Sequence, residues 1–338
     1  MNHSDEEIGA SVREALGLEE KTSLEVIPLA VRGSQRSFCR IRYGNRESVI
    51  FMQYSGERRE NNYYAGLARF LQKIGVSVPR IFYHDGRKNF LLMEDLGDRD
   101  LWHYRQAPWE ERRRYYFKTL DIIRKLHAFR QEESSLAGVA MMEAFDAGLY
   151  RWERDYFREN FVREVCGIEL NASEAEIVEK ELVLVAEGLE GSQSCLVHRD
   201  LQSQNVMIRN DDPVLIDFQG MRYGNPLYDL GSLLYDPYVS FTGEERHELL
   251  DYYYGIFTAG CDFRTFGENF RKASVQRLLQ ALGAYGFLGL KSNQREFLAY
   301  IPSGLNNLIE AMGTSPAFNH LRDLALRCRQ ALEKRGSA

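Results

Sequence analysis

A chain of 338 residues that is 44% hydrophobic and 27% charged can bury a large core, and it falls outside the disordered, collagen-like and coiled-coil classes. Its 43 basic and 49 acidic residues leave a net charge of −6. This speaks against nucleic acid as a main partner, because phosphate backbones call for a basic excess or stripe. No uncharged apolar run reaches the roughly 20 residues that a bilayer span needs. The N-terminal MNHSDEEIGA is acidic where a signal peptide is basic. The five cysteines (Cys39, Cys166, Cys195, Cys261 and Cys328) are widely spaced, with no Cys-x-x-Cys pair. The expectation is reduced thiols, a cytoplasmic location and no membrane partner.

In chain order, residues 5–17 predict a short helix, with Ser4 as cap, Asp5 to Glu7 at its positive end and Gly17 as stop. Leu24 to Val31, Ser37 to Tyr43 and Glu47 to Gln53 predict strands, the last two joined by the turn Tyr43-Gly44-Asn45-Arg46. In the second strand Phe38, Arg40 and Arg42 share one face while Cys39, Ile41 and Tyr43 share the other. Residues 57–74 carry a helical apolar stripe closed by Gly75, and strands follow near 80–83 and 90–94. Beyond the turn-rich Asp95-Leu96-Gly97-Asp98 the chain predicts mainly helices, at 112–129, 173–188, 243–258, 270–290, 294–311 and 318–334. One strand pair interrupts them, 206–208 and 214–216 around Asn210-Asp211-Asp212-Pro213. The fold class read from this pattern is α+β and bilobal: a lead-in over 1–23, a small antiparallel-sheet lobe over 24–95, and a larger helical lobe over 96–338.

Chemistry concentrates in His198-Arg199-Asp200-Leu201-Gln202-Ser203-Gln204-Asn205, followed twelve residues later by Asp217-Phe218 at a strand end. This is the spacing of a kinase catalytic loop and its metal aspartate. Asp200 is the candidate acceptor of a substrate hydroxyl proton. Asn205 offers an amide oxygen and Asp217 a carboxylate, a hard-oxygen pair suited to Mg²⁺ completed by water and phosphate oxygens. The intervening hairpin would bring Asn205 and Asp217 side by side. No Gly-x-Ser-x-Gly elbow and no Gly-Lys-Ser/Thr loop supports a hydrolase or a P-loop reading.

With Tyr223-Gly-Asn-Pro-Leu-Tyr-Asp229 following at once, and Gln219 where protein kinases carry glycine, the chain resembles the aminoglycoside phosphotransferase and choline kinase group. That resemblance implies a protein-kinase-like fold, ATP and Mg²⁺ as cofactors and a small-molecule acceptor. It also implies that Asp229 and His198 support the catalytic loop. Ile50-Phe-Met-Gln53 and Val275-Gln-Arg-Leu-Leu-Gln-Ala-Leu-Gly283 are similar to the bacterial cell-wall amino-sugar kinases, which phosphorylate the anomeric hydroxyl of N-acetylmuramate and N-acetylglucosamine. Aminoglycosides, choline or ethanolamine and other sugars are the alternative acceptors, and a catalytically weak nucleotide-binding pseudokinase is the alternative of another class.

On the nucleotide side, Arg32 to Phe38 lies where a phosphate-covering loop belongs, with backbone N–H groups at Gly33 and Ser34. The resemblance puts a phosphate-binding lysine near Met52, yet no lysine occurs between Lys21 and Lys73. Arg36 and Arg40 are the candidate replacements, since a guanidinium binds phosphate bidentately. Met93, Glu94 and Leu96 fit an adenine hinge. Asp236, Tyr238, Gln276 and Arg277 are the candidate acceptor contacts from the helical part.

Overall fold

The computed structural model describes residues 5–30, 36–44, 47–130, 139–190, 194–257 and 260–336. Helix α1 (Asp5–Leu16) precedes strands β1 (Leu24–Leu29), β2 (Ser37–Tyr43) and β3 (Glu47–Gln53); α2 (Tyr64–Lys73) then intervenes before β4 (Ile81–Asp85) and β5 (Phe90–Glu94). The strands form one antiparallel sheet in the order β1-β2-β3-β5-β4. The β2 alternation has a physical basis in this sheet. Ile41, opposite Val49, is fully buried in a cluster with Ile8 and Val12 of α1. Arg40, opposite Ile50, lies on the other face, where Ile50, Met52 and Met93 pack with Tyr64, Leu67 and Leu71 of α2. Ser4, the end of the first strand at Val31 and the turn residues Asn45 and Arg46 lie outside the described residues.

The helix expected over 57–74 starts later. Arg59–Tyr63 is a 3₁₀ turn and α-helical geometry begins at Tyr64. Asn61 accounts for the delay, because its side-chain amide donates to the Ser55 carbonyl at 3.0 Å and ties this segment back to the strand exit.

The remainder runs α3 (Trp109–His127), α4 (Ala147–Phe157), α5 (Ala172–Glu190), β6 (Cys195–Val197), β7 (Val206–Arg209), β8 (Asp212–Leu215), β9 (Arg222–Gly224), α6 (Leu227–Leu234), α7 (Gly243–Ile256), α8 (Phe263–Leu290), α9 (Ile301–Met312) and α10 (Asn319–Gly336). The β7–β8 hairpin is tighter than expected. Asn210 (φ 50°) and Asp211 (φ 64°) alone make the turn, so Asp212 pairs with Arg209 and Pro213 enters the strand opposite Ile208. Two positive φ values suit a right-twisted hairpin, and Asn and Asp tolerate them best.

Four elements escaped the sequence pattern. The β6–β9 pair is three residues per strand, too short for alternation to register. All eight residues of α6 are buried, so it has no polar face to mark its period. Helix α4, capped by Asp146 through the Leu149 N–H at 2.7 Å, continues as a π-helical stretch over Arg158–Val165. Helix α8, 28 residues and therefore ~42 Å long, is the axis of the helical lobe and packs against α4, α5, α6 and α9. Its glycines permit this. A Cβ on Gly283 would come within 2.9 Å of the Phe157 nitrogen, and one on Gly286 would run into the Asn160 carbonyl. No described helix is long and apolar enough to cross a membrane.

Candidate active site

Strand β6 delivers the chain to His198 through a strained corner. Arg199 sits at φ 78°, and Asp217, where β8 exits, at φ 63°. Left-handed geometry at such residues costs about 1–3 kcal/mol each and persists only where surrounding bonds dictate it. Asp229, in the first turn of α6 and fully buried, supplies two of them by accepting the His198 N–H (2.7 Å) and the Arg199 N–H (2.8 Å). The same carboxylate accepts His127 Nε2–H at 3.0 Å, and Tyr253 hydroxyl lies 2.6 Å from the other His127 ring nitrogen. His198 Nε2–H donates to the Ile216 carbonyl at 2.9 Å, and the Ile216 N–H donates to the Asn205 carbonyl at 3.0 Å. The two ends of the hairpin are thereby stitched together, with Asn205 beside the exit toward Asp217. Phe218 fixes that exit, fully buried with its ring 4.5 Å from that of Tyr64.

Asp200, Asn205 and Asp217 line one cavity of about 210 Å³, together with Tyr238 and Arg277. Asn205 Nδ2 donates to the Asp200 carbonyl at 2.8 Å, which leaves its amide oxygen, the atom a hard cation binds, out of that bond. Burial alone would push the Asp200 carboxyl up, but the guanidiniums of Arg199 and Arg277 outweigh it and hold the group below the ordinary aspartate value. Among the described residues no group of three or more His, Cys, Asp and Glu side chains is placed to hold a metal ion. A cation held by Asn205 and Asp217 would therefore complete its shell with water and phosphate oxygens.

Arg36 donates to Asp217, and Gln219 Nε2 donates to the same Asp217 oxygen at 3.1 Å. Burial works against the Arg36 charge, but Asp217, with Tyr64 and Glu60 adding to it, keeps the guanidinium firmly protonated. Arg40 is elsewhere. It donates to Asp95 (2.7 and 3.1 Å) and to Asp98 (2.7 Å), pinning β2 to the segment after β5. Four strand positions, ~13 Å, separate it from Arg36, so the two arginines expected to serve phosphate do not share one location. Gly33 and Ser34 lie outside the described residues. At the expected hinge, Met93 accepts from Tyr64 hydroxyl at 3.7 Å. The Glu94 side chain is turned to Arg80 (3.1 and 3.3 Å) and Arg209, and Leu96 is buried. Hinge recognition of a base would thus fall to backbone groups.

Two expected acceptor contacts are corrected. Asp236 is fully buried and accepts the Ser203 N–H (2.8 Å), the Ser203 hydroxyl (2.5 Å) and the Tyr238 N–H (3.0 Å). Burial pushes its carboxyl up to about 6 even against those bonds. It braces the far end of the catalytic loop. Gln276 is also fully buried and donates to Glu153 at 2.8 Å, on the side of α8 away from the cavity. Tyr238 and Arg277 do reach the cavity.

The sequence profile of the APH phosphotransferase enzyme family matches residues 27–263. The chain belongs to this phosphotransferase family. It is 27% identical to an N-acetylmuramate/N-acetylglucosamine kinase of Pseudomonas aeruginosa over 327 residues, 94% of this chain and 93% of that relative. A choline/ethanolamine kinase family protein from Mesorhizobium loti superposes with TM-score 0.61 at 18% identity, covering 96% of this chain and 99% of its own. An ADP-bound aminoglycoside phosphotransferase superposes with TM-score 0.60 at 17% identity, covering 91% and 99%. These likenesses establish the bilobal protein-kinase-like α+β fold, and the family makes the protein a small-molecule phosphotransferase.

The rest of this phosphotransferase's cavity was not named from the sequence. Gln280, Ala281, Ala284, Tyr285 and Leu288 line it from α8, Phe297 from the turn beyond, and Gln202 and Gln204 from the catalytic loop. The signal was present. Counted from Arg277, positions +3, +4, +7, +8 and +11 are one helical face.

Proposed function

We propose that this phosphotransferase transfers the terminal phosphate of ATP, with Mg²⁺, to the anomeric hydroxyl of a cell-wall amino sugar of the N-acetylmuramate or N-acetylglucosamine kind. The observation that carries the reading is the meeting of Asp200, Asn205 and Asp217 in one cavity whose remaining wall is glutamine, alanine, leucine and aromatic, with the single cation Arg277 among its described residues. Among its described lining residues Asp200 and Asp217 are the acidic ones. A polycationic aminoglycoside would call for further carboxylates. Tyr238, Tyr285 and Phe297 with Gln202 and Gln280 suit instead a sugar ring with one apolar face and several hydroxyl and amide groups. The Pseudomonas aeruginosa relative's name points the same way.

In this mechanism residues 24–95 cover the nucleotide and 96–338 carry the acceptor. Asp200 orients the acceptor hydroxyl and takes its proton as the new O–P bond forms and the bond to the ADP oxygen breaks. Its depressed pKa keeps it an anion able to accept that proton. Asn205 and Asp217 would hold Mg²⁺, which when bound neutralises charge on the phosphate oxygens. Arg36 exchanges its contact with Asp217 for phosphate oxygens and so takes the place of the missing lysine. Most of the rate gain then comes from alignment and preorganised charge.

Acceptor-dependent ADP release over amino sugars, aminoglycosides and choline tests this, with Asp200→Asn alongside. The expected outcome is turnover with amino sugars and a kcat at least ~10²-fold lower in Asp200→Asn, with ATP affinity retained. Near-normal turnover in that variant would refute the role of Asp200, and no acceptor-dependent ADP with any compound would favour a nucleotide-binding pseudokinase.

A further inference from the structure

Taking the reading of Asp200 as base, the question is what aims its carboxylate. The side chain stands on a loop, and rotation about its last bond is soft. A base has to present an oxygen within about 2.6–3.2 Å of the proton it removes. Asn205 grips the Asp200 backbone carbonyl and leaves the carboxylate untouched. Arg199 Nη1 lies 3.8 Å from Oδ2, close enough for charge attraction and too far for a hydrogen bond. Among the described residues the one hydrogen bond to the carboxylate comes from Arg277, whose Nη2 donates to Oδ1 at 3.3 Å.

Arg277 is itself immobilised. Its side chain is 5% exposed. Nε donates to Ser232 Oγ on α6 at 3.1 Å, and Nη1 donates to Gln280 one turn along α8. Helices α6 and α8 approach closely here, since a Cβ on Gly231 would lie 2.8 Å from Ser274 Cα. Helix α6 also carries Asp229, which holds the His198 and Arg199 amides. One short buried helix therefore anchors both the backbone ahead of the base and, through Ser232 and Arg277, the base's own carboxylate. Each of the three guanidinium nitrogens already donates, to Ser232, Gln280 and Asp200, so its geometry serves the base.

We infer that Arg277 is a positioning residue that aims the Asp200 carboxylate at the acceptor hydroxyl, and that the acceptor is not its ligand. Its contribution then lies in kcat and passes entirely through Asp200.

A double-mutant cycle reads this directly. Arg277→Met, Ser232→Ala and Asp200→Asn are made singly, and the first two also on Asp200→Asn, with acceptor-dependent ADP release measured at saturating ATP. Arg277→Met is expected to lower kcat ~10- to 100-fold, the scale of a misaligned reacting group, while acceptor KM changes less than about threefold. Ser232→Ala, a small change away from the cavity that keeps Arg277 but removes the acceptor of its Nε–H, is expected to lower kcat ~3-fold with KM unchanged. On Asp200→Asn neither change should cost more than about twofold further, because residues acting as a unit are not additive. Losses that multiply on Asp200→Asn, or an Arg277→Met variant whose loss falls in acceptor KM with kcat intact, would overturn the inference while leaving Asp200 as base. Should Arg277→Met fail to fold, the Ser232→Ala pair decides by the same criteria. Wild-type turnover in Asp200→Asn would overturn both this inference and the reading beneath it.

Discussion

Arg36 and Arg40 were indistinguishable in the sequence as replacements for a phosphate-binding lysine. The fold separates them, because strand periodicity puts both on one face but four positions of rise carry Arg40 to the hinge end, where Asp95 and Asp98 hold it. Met52, where the resemblance located the lysine, is fully buried in the core under the sheet. The two arginines should therefore fail differently. Arg36→Met is expected to weaken ATP binding ~10- to 100-fold, the worth of a charged hydrogen bond of about 1.5–3 kcal/mol, with the melting temperature little changed. Arg40→Met is expected to leave ATP affinity within about threefold and to lower stability, since it strands a carboxylate on Asp95, which is 8% exposed. Calorimetric titration with nucleotide and urea melts of both variants check the contrast. Equal effects on affinity would contradict it.

Among the elements, α8 decides the most and was legible only in part. Its glycine spacing at 283, 286 and 289 was readable as close packing, but not which partner approaches. At Gly283 and Gly286 the partner is α4 with its π-helical continuation, itself missed because aromatic and charged residues alternate there without a clean period, and at Gly289 it is Leu298. Gly286 tests the packing. Gly286→Ala would press its methyl on the Asn160 carbonyl and is expected to destabilise by about 1–3 kcal/mol, the usual cost of overpacking. Gly267, on the same helix with nothing within 4 Å of an added Cβ, gives the opposite sign. Gly267→Ala is expected to stabilise by about 0.4–1 kcal/mol through the unfolded chain. Urea melts that move both variants in the same direction would contradict this account of α8.

At the scale of the whole molecule, legibility followed sequence distance. Asp200, Asn205 and Asp217 could be grouped from the sequence because a local hairpin joins them, and its strands and turn carry their own signals. The acceptor wall could not, because Arg277 and Asp200 meet across 77 positions and their contact depends on how α8 lies against α6. For the same reason Asp236 and Gln276 looked like acceptor contacts. Their polarity was visible, and their complete burial, facing Ser203 and Glu153, was not. The β-rich start and helical remainder gave the α+β bilobal class from element order alone, and Arg36 joined to Asp217 shows where the two parts meet. On the function proposed, this meeting place passes phosphate from ATP to the anomeric oxygen of an amino sugar. Phosphorus NMR of a reaction holding the protein, ATP, Mg²⁺ and N-acetylmuramate measures it most directly. The predicted result is a new phosphomonoester signal coupled to the anomeric proton, growing in step with ADP. An unchanged ATP spectrum, or a phosphate on any other hydroxyl, would contradict it.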